Sequence, residues 1–209
     1  MPQAVTLDDI VRKILAIDPS RRTIIALAGP PASGKSTAAE MIVAKLNQLE
    51  PDSAAVVPMD GFHYDDMVLV ARGLRPRKGA PETFDCAGFA HLMSRLAANV
   101  EKEIAVPVFD RAIEISRGSA RIIPQSVKYI VTEGNYLLLN REPWLQLPRL
   151  FDMSVFLRVP KAELHRRLLL RWQSLSPDEL VAKIEGNDMI NVETVLNKSG
   201  EADFTLVND

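Results

Sequence analysis

Glycine, lysine and hydroxyl residues at one fixed spacing set the chemical question. Gly29-Pro30-Pro31-Ala32-Ser33-Gly34-Lys35-Ser36-Thr37 fits G-x-x-x-x-G-K-[ST]. Gly29 and Gly34 let the backbone turn where a side chain would clash, so successive N–H groups can converge on one anion. Lys35 brings a compact positive charge to β- and γ-phosphates, and the Ser36 hydroxyl suits Mg2+. A helix starting near Lys35 adds its positive dipole end to the same anion. The spacing predicts a loop that wraps the phosphates of a nucleotide such as ATP, together with Mg2+.

Two carboxylates stand where short apolar runs end. Residues 53–59 read as a strand followed by Asp60, and residues 129–134 as a strand carrying Glu133 at its end. In a parallel sheet that end faces the crevice where ligands bind. Asp60 is therefore a candidate base for an acceptor hydroxyl, or else a turn residue capping the next helix. Glu133 is a candidate for the second acidic position, acting on Mg2+ directly or through water. Arg167 and Arg171 lie four apart on a basic helix and so share a face. They would neutralise charge on a transferring phosphoryl group, or else belong to an exposed helix in which Glu163 pairs with Arg167.

The elements that must hold these groups follow from periodicity. Residues 23–28 are a short apolar run that reads as a buried parallel strand leading into the loop. Residues 38–46 have high helix propensity, with Ile42, Val43 and Leu46 at helical spacing. Upstream, residues 6–17 read as an amphipathic helix capped by Thr6 and closed by Asp18-Pro19-Ser20. Residues 86–100 read as a helix burying Phe89, Leu92, Met93 and Leu96, with Asp85 as its cap or as part of the site. Residues 105–111 and 121–125 read as the strands of a small flap, turning at Gly118-Ser119. A further strand at 151–159 precedes the basic helix at 161–172. Another helix starts at Ser176-Pro177 and breaks near Gly186-Asn187-Asp188, and 202–207 is a last short strand. Between Asp60 and Asp85, Arg72, Arg75, Arg77 and Lys78 crowd a Gly- and Pro-rich stretch that reads as a loop. Those cations either meet an anionic substrate or are simply solvated.

Composition narrows the class. With 209 residues, 47% hydrophobic and 25% charged, the chain suits one α/β domain with a real core. A net charge of −2 argues against a nucleic-acid binder that works by general attraction. The single Cys86 excludes an intramolecular disulfide and suits a reducing cytoplasm. Residues 1–9 lack the basic and apolar regions of a secretory signal, and no run approaches the ~18 apolar residues of a membrane span.

Several motifs together carry a resemblance. Gly29-x4-Gly34-Lys35-Ser36 is followed by Met59-Asp60-Gly61-Phe62-His63 and Gly79-Ala80-Pro81-Glu82-Thr83-Phe84-Asp85. Then come Pro107-Val108-Phe109-Asp110-Arg111, Glu133-Gly134-Asn135-Tyr136-Leu137-Leu138 and Asn187-Asp188. This series resembles the phosphoribulokinase, uridine kinase and pantothenate kinase family of P-loop kinases, and within it the bacterial fructose transport system kinase (nucleoside/nucleotide kinase-like) subgroup. The likeness runs from about residue 23 to the C-terminus. It implies that the flap and the basic loop border an acceptor pocket, with substrate-binding roles for Asp60, His63, Phe84, Arg111, Glu133, Tyr136 and Asn187. Arg111 is the first choice for a substrate or phosphate contact, and the helix with Arg167 and Arg171 would be a lid.

The expectation is therefore a single domain over residues 1–209 with a three-layer α/β P-loop fold. It has about five parallel strands, helices on both faces, a flap at about 105–125 and a lid at about 160–175. The expected reaction is transfer of the ATP γ-phosphoryl group to a hydroxyl of a sugar (fructose-like) or nucleoside-type metabolite. Another acceptor of the uridine or pantothenate kind, or a hydrolase or regulatory switch, competes with it. Expected partners are a small-molecule acceptor and a second copy in a homodimer, with neither nucleic acid nor membrane.

Overall fold

A computed structural model of the chain describes residues 2–18 and 20–207, so Pro19 of the expected helix stop lies outside the described residues. Every residue of β2 (Thr23–Ala28) is buried, which requires cover on both faces of the strand. Its side chains alternate accordingly. Ile24, Ala26 and Ala28 enter one apolar layer, while Ile25 and Leu27 enter the other. β2 pairs in parallel with β6 (Tyr129–Gly134) and β7 (Met153–Arg158). β3 (Ala54–Pro58) extends the sheet beyond β6, and β8 (Phe204–Val207) extends it beyond β7. β1 (Gln3–Val5) pairs with β8 at the far edge, so the order is β1-β8-β7-β2-β6-β3. That is six strands where the sequence indicated about five. A three-residue edge strand is too short to show a period of two.

α1 (Leu7–Leu15) and α2 (Lys35–Leu49) cover one face. Thr6 caps α1 as expected, and Asp9 closes a reciprocal capping box by accepting from the Thr6 N–H at 2.9 Å. α4 (Cys86–Ala98) covers the other face, burying Phe89, Leu92, Met93 and Leu96. Asp85 is its cap, accepting from the Gly88 N–H at 2.9 Å. Among the described residues no helix is long and apolar enough to cross a membrane.

Three segments differ from expectation. The basic stretch is preceded by a short helix, α3 (Asp66–Ala71), and itself contains 3-10 turns at Arg75–Arg77 and Pro81–Thr83. The flap strands are β4 (Glu103–Asp110) and β5 (Ile115–Pro124), so the chain turns at residues 111–114. Gly118-Ser119 lies inside β5 instead, opposite a register irregularity between Val106 and Val108. Pro107 has no N–H for the ladder, which accounts for the irregularity. Finally, α5 (Lys161–Arg171) leads to α6 (Pro177–Lys183) and α7 (Met189–Lys198). The last two are joined by a π-helical turn at Ile184–Asp188, not separated by a break. A third apolar cluster of Val159, Leu164, Leu168, Ile184, Met189 and Val192 holds these helices, where the lid was expected, together.

The flap is seated on the turn after β3. Ser116 donates to the Gly61 carbonyl, and Arg121 donates to the Val56 carbonyl at 2.5 Å. A Cβ on Gly61 would lie 2.5 Å from the Pro107 carbonyl oxygen, so even one methyl must push the two backbones apart. Gly61→Ala is expected to destabilise the chain by about 2 kcal/mol. Calorimetry should show a Tm lower by about 4–8 °C, and an unchanged Tm would mean that the flap is not held there.

Candidate active site

The phosphate loop is shaped by close approach. A Cβ on Gly29 would lie 2.9 Å from the Leu157 carbonyl oxygen and 3.0 Å from Ser33 Oγ, so only glycine lets the loop pass β7. Gly34 has φ +89° and serves as N-cap of α2 with no side-chain cap, leaving the first amides of the helix aimed into the cleft. Pro31, Ala32, Gly34, Lys35, Ser36 and Thr37 line a cleft of about 230 Å³. Gly29, Pro30 and Ser33 stand behind it and shape the turn, the Pro30 carbonyl accepting from the Ser33 N–H at 3.2 Å.

Lys35 is buried and donates to the Pro30 carbonyl at 2.9 Å. Burial pulls its pKa down to about 8, against the opposing pull of Glu133 and Asp60. Ser36 donates to Glu133 Oε1 at 3.0 Å, so β2–α2 and β6 bring these two oxygens together. The Glu133 carboxyl is pushed above its usual pKa, first by burial and next by the nearby Asp60 charge. A hydroxyl beside a carboxylate is the hard oxygen donor set that Mg2+ takes. Among the described residues no group of three or more His, Cys, Asp or Glu could hold a metal. A Mg2+ on Ser36 and Glu133 would complete its shell from phosphate and water oxygens.

Asp60 follows β3 and faces this pair across the cleft. Its Oδ2 accepts from Arg111 of the flap turn at 2.7 Å, so flap and carboxylate are joined directly. His63 lies between two rings, 4.0 Å from the Phe84 centroid and 4.5 Å from that of Phe109. Its Nδ1 lies 2.8 Å from the Asp60 carbonyl, and burial keeps the imidazole pKa below its usual value. Two tilted rings therefore pack close to the imidazole, which still lines the cleft. Arg171, at the end of α5, lines the cleft, and the cleft walls and Arg111 lower its pKa although the side chain stays solvent-accessible.

Of the residues singled out in the sequence, Asp60, His63, Phe84, Arg111, Glu133 and Arg171 line this one cleft. Three do not. Arg167 is turned to Glu163, donating at 2.6 Å, because one turn of α5 separates it from Arg171 and its acidic neighbour holds it. Tyr136 is fully buried against Phe84 and Trp144, its hydroxyl donating to the Gly79 carbonyl at 2.6 Å. Asn187 is likewise buried and bonds the basic loop, donating to the Lys78 carbonyl at 2.9 Å. Both sit one layer behind the cleft wall.

The sequence alone missed Glu114, Trp172, Lys183 and Asn191 of the cleft, and Asn135 and Asp188 stood in the family motifs without a role; Arg75 and Lys78 line it too, two of the four loop cations left between substrate and solvent. Lys78 is the most informative. It is buried, and its ammonium donates at 2.6 Å to both Asp66 Oδ1 and the Glu114 carbonyl, tying the basic loop to the flap turn. The only signal was the density of charge over residues 72–78, which does not say which cation points inward.

No protein-family profile matches the chain. It is 37% identical over 194 residues to the uncharacterized protein YggC of Escherichia coli K12, covering 91% of this chain and 79% of that one. It is 30% identical over 218 residues to a Schizosaccharomyces pombe protein provisionally named a uridine kinase, covering 98% and 92%. A crystal structure from Silicibacter sp. TM1040, provisionally called a fructose transport system kinase, superposes with a TM-score of 0.89. That protein is 40% identical, with 96% of this chain and 98% of that chain covered.

Proposed function

Since the chain belongs to the P-loop kinases of the uridine, pantothenate and phosphoribulokinase type, which transfer phosphate to hydroxyl groups, we propose that it moves the γ-phosphoryl group of ATP to a sugar hydroxyl. The observation that carries this reading is the convergence of Lys35, the Ser36–Glu133 pair and Asp60 in one cleft. Lys35 and the loop amides hold the β- and γ-phosphates, and Asp60 takes the proton of the acceptor hydroxyl as its oxygen bonds phosphorus and the bond to ADP breaks. Ser36 and Glu133 would hold Mg2+, which would screen the phosphate charge. Arg171 faces the charge that develops on the transferring group.

A sugar is favoured over a nucleoside for two reasons. Around Asp60 the cleft carries Arg75, Lys78, Arg111 and Glu114, polar groups suited to several hydroxyls. The Silicibacter relative's name refers to fructose. The test is ADP release from Mg·ATP against fructose, other hexoses, nucleosides and pantothenate, with an acceptor-free control. Stimulation by a hexose supports the reading, and stimulation by a nucleoside or pantothenate moves the acceptor. Steady release without any acceptor would make the protein a hydrolase or switch.

The two lid arginines should separate in the same assay. Arg171→Ala is expected to lower kcat about a hundredfold while changing the acceptor KM far less, the pattern of a contact made in the transition state. Arg167→Ala should stay within about threefold of the parent, since it loses a part-exposed ion pair of the weak class. Equal losses in both variants would place Arg167 in the cleft during turnover.

A further inference from the structure

The basic loop and the lid share one polar network, centred on the π-turn, in which Asn187 and Asn191 are buried and Arg77 is half-buried. Arg77 forks into it, donating to the Gly186 carbonyl at 3.0 Å and to Asn187 Oδ1 at 2.8 Å, with Asn191 Oδ1 at 3.4 Å. Asn187 answers by donating to the Lys78 carbonyl at 2.9 Å, and Asn191 donates to Asn187 Oδ1 at 3.2 Å. The next residue, Asp188, accepts from Trp172 Nε1 at 2.7 Å, and Trp172 directly follows Arg171. Lys183 lies over the Trp172 ring at 4.8 Å. Arg77 itself does not line the cleft, whereas its neighbours Arg75, Lys78 and Gly79 do.

Each link has a physical reason. A π-helical turn inserts a residue into the helical ladder, and such turns recur at functional sites. Asn187, with donor and acceptor on one planar amide, can take the Arg77 fork and return a bond to the loop. The Asn187 and Asn191 amides are buried, so a bond left unmade there is costly, and this holds the half-buried Arg77 fork in place.

We propose that Arg77 and Asn187 are positioning residues: through the π-turn they hold the acceptor-side loop and the lid arginine Arg171 as one unit. The acceptor's wall, Lys78 and Gly79, and the phosphoryl group's cation, Arg171, are thereby fixed relative to each other across the cleft. Neither Arg77 nor Asn187 touches the reacting atoms. This proposal rests on the kinase reading for its purpose, but its physical content is testable without any acceptor.

The chain has two tryptophans, so Trp144→Phe leaves Trp172 as the single lid reporter. In that background Arg77→Ala is expected to raise acrylamide quenching of Trp172 about twofold, the signature of local opening. In the native background, backbone exchange at residues 168–172, outside Arg77's bonds to Gly186, Asn187 and Asn191, should speed about tenfold. Asn187→Ala should do the same, and the double variant should add little to either single change, because both break one network. Arg77→Lys keeps the charge but not the planar fork, so it should resemble Arg77→Ala, and it serves the same test should Arg77→Ala not fold. Unchanged quenching and exchange in Arg77→Ala would overturn the proposal. So would full rescue by Arg77→Lys, or additive effects in the double variant.

With any acceptor that stimulates ADP release, Arg77→Ala should also lower kcat about tenfold and raise the acceptor KM, leaving Mg·ADP affinity within about twofold. If no acceptor stimulates release, the kinase reading fails while the tryptophan and exchange results still stand.

Discussion

Asp60→Asn is expected to keep Mg·ADP affinity within a few-fold and to lose acceptor phosphorylation by about a thousandfold, the usual scale of a removed general base. The substitution preserves shape: the amide oxygen can still accept from Arg111, which now meets Asp60 Oδ2 at 2.7 Å. What it removes is the negative charge and the site for the acceptor's proton. The charge also acts on its surroundings, because Asp60 helps to push the Glu133 pKa up. Neutralising it lets Glu133 ionise more readily, so the Ser36–Glu133 pair proposed to hold Mg2+ is preserved or improved. Calorimetric titration with Mg·ADP and steady-state turnover then separate the two roles. Near-normal turnover would remove Asp60 as the base. A parallel loss of nucleotide affinity would make it part of the phosphate cradle.

Locally encoded features were the ones legible in the sequence. The phosphate loop, β2 and α2 depend on contiguous residues: an apolar run, two glycines placed where the backbone turns, and a helix former after Lys35. Asp60 and Glu133 were legible because a parallel strand's C-terminal end is a topological position, fixed once the strands are found. The choice between Arg167 and Arg171 was not local. It turns on how α5 rolls against Ile184 and Val192 and on the grip of Glu163. Tyr136 and Asn187 sit in a family motif, but a motif does not say whether a side chain faces the cleft or supports its wall. In both cases burial and a bond to the basic loop decide for support. Gly118-Ser119 has turn composition and yet lies within β5, where the irregularity is set by Pro107 on the opposite strand.

Lys35→Ala is expected to abolish measurable turnover, with a loss of at least a thousandfold, and to weaken Mg·ADP binding about tenfold to a hundredfold. The physical basis is the buried ammonium, whose pKa is drawn down to about 8 by desolvation from the usual 10.5. The folded state therefore binds fewer protons than the unfolded chain between pH 8 and 10.5, and stability rises with pH across that window. Below pH 8 the folded protein carries a constant penalty, on the order of 3 kcal/mol before its bond to the Pro30 carbonyl is counted. A residue kept for folding would not carry that sign. Lys35→Met, which fills the same space without charge, should accordingly match or exceed the parent Tm at pH 7. The gap should close as the pH of the comparison rises from 8 towards 10. A Tm several degrees below the parent at pH 7 would instead make Lys35 a structural brace of the loop. Loss of turnover at undiminished stability would place its whole value in the phosphates it is positioned to meet.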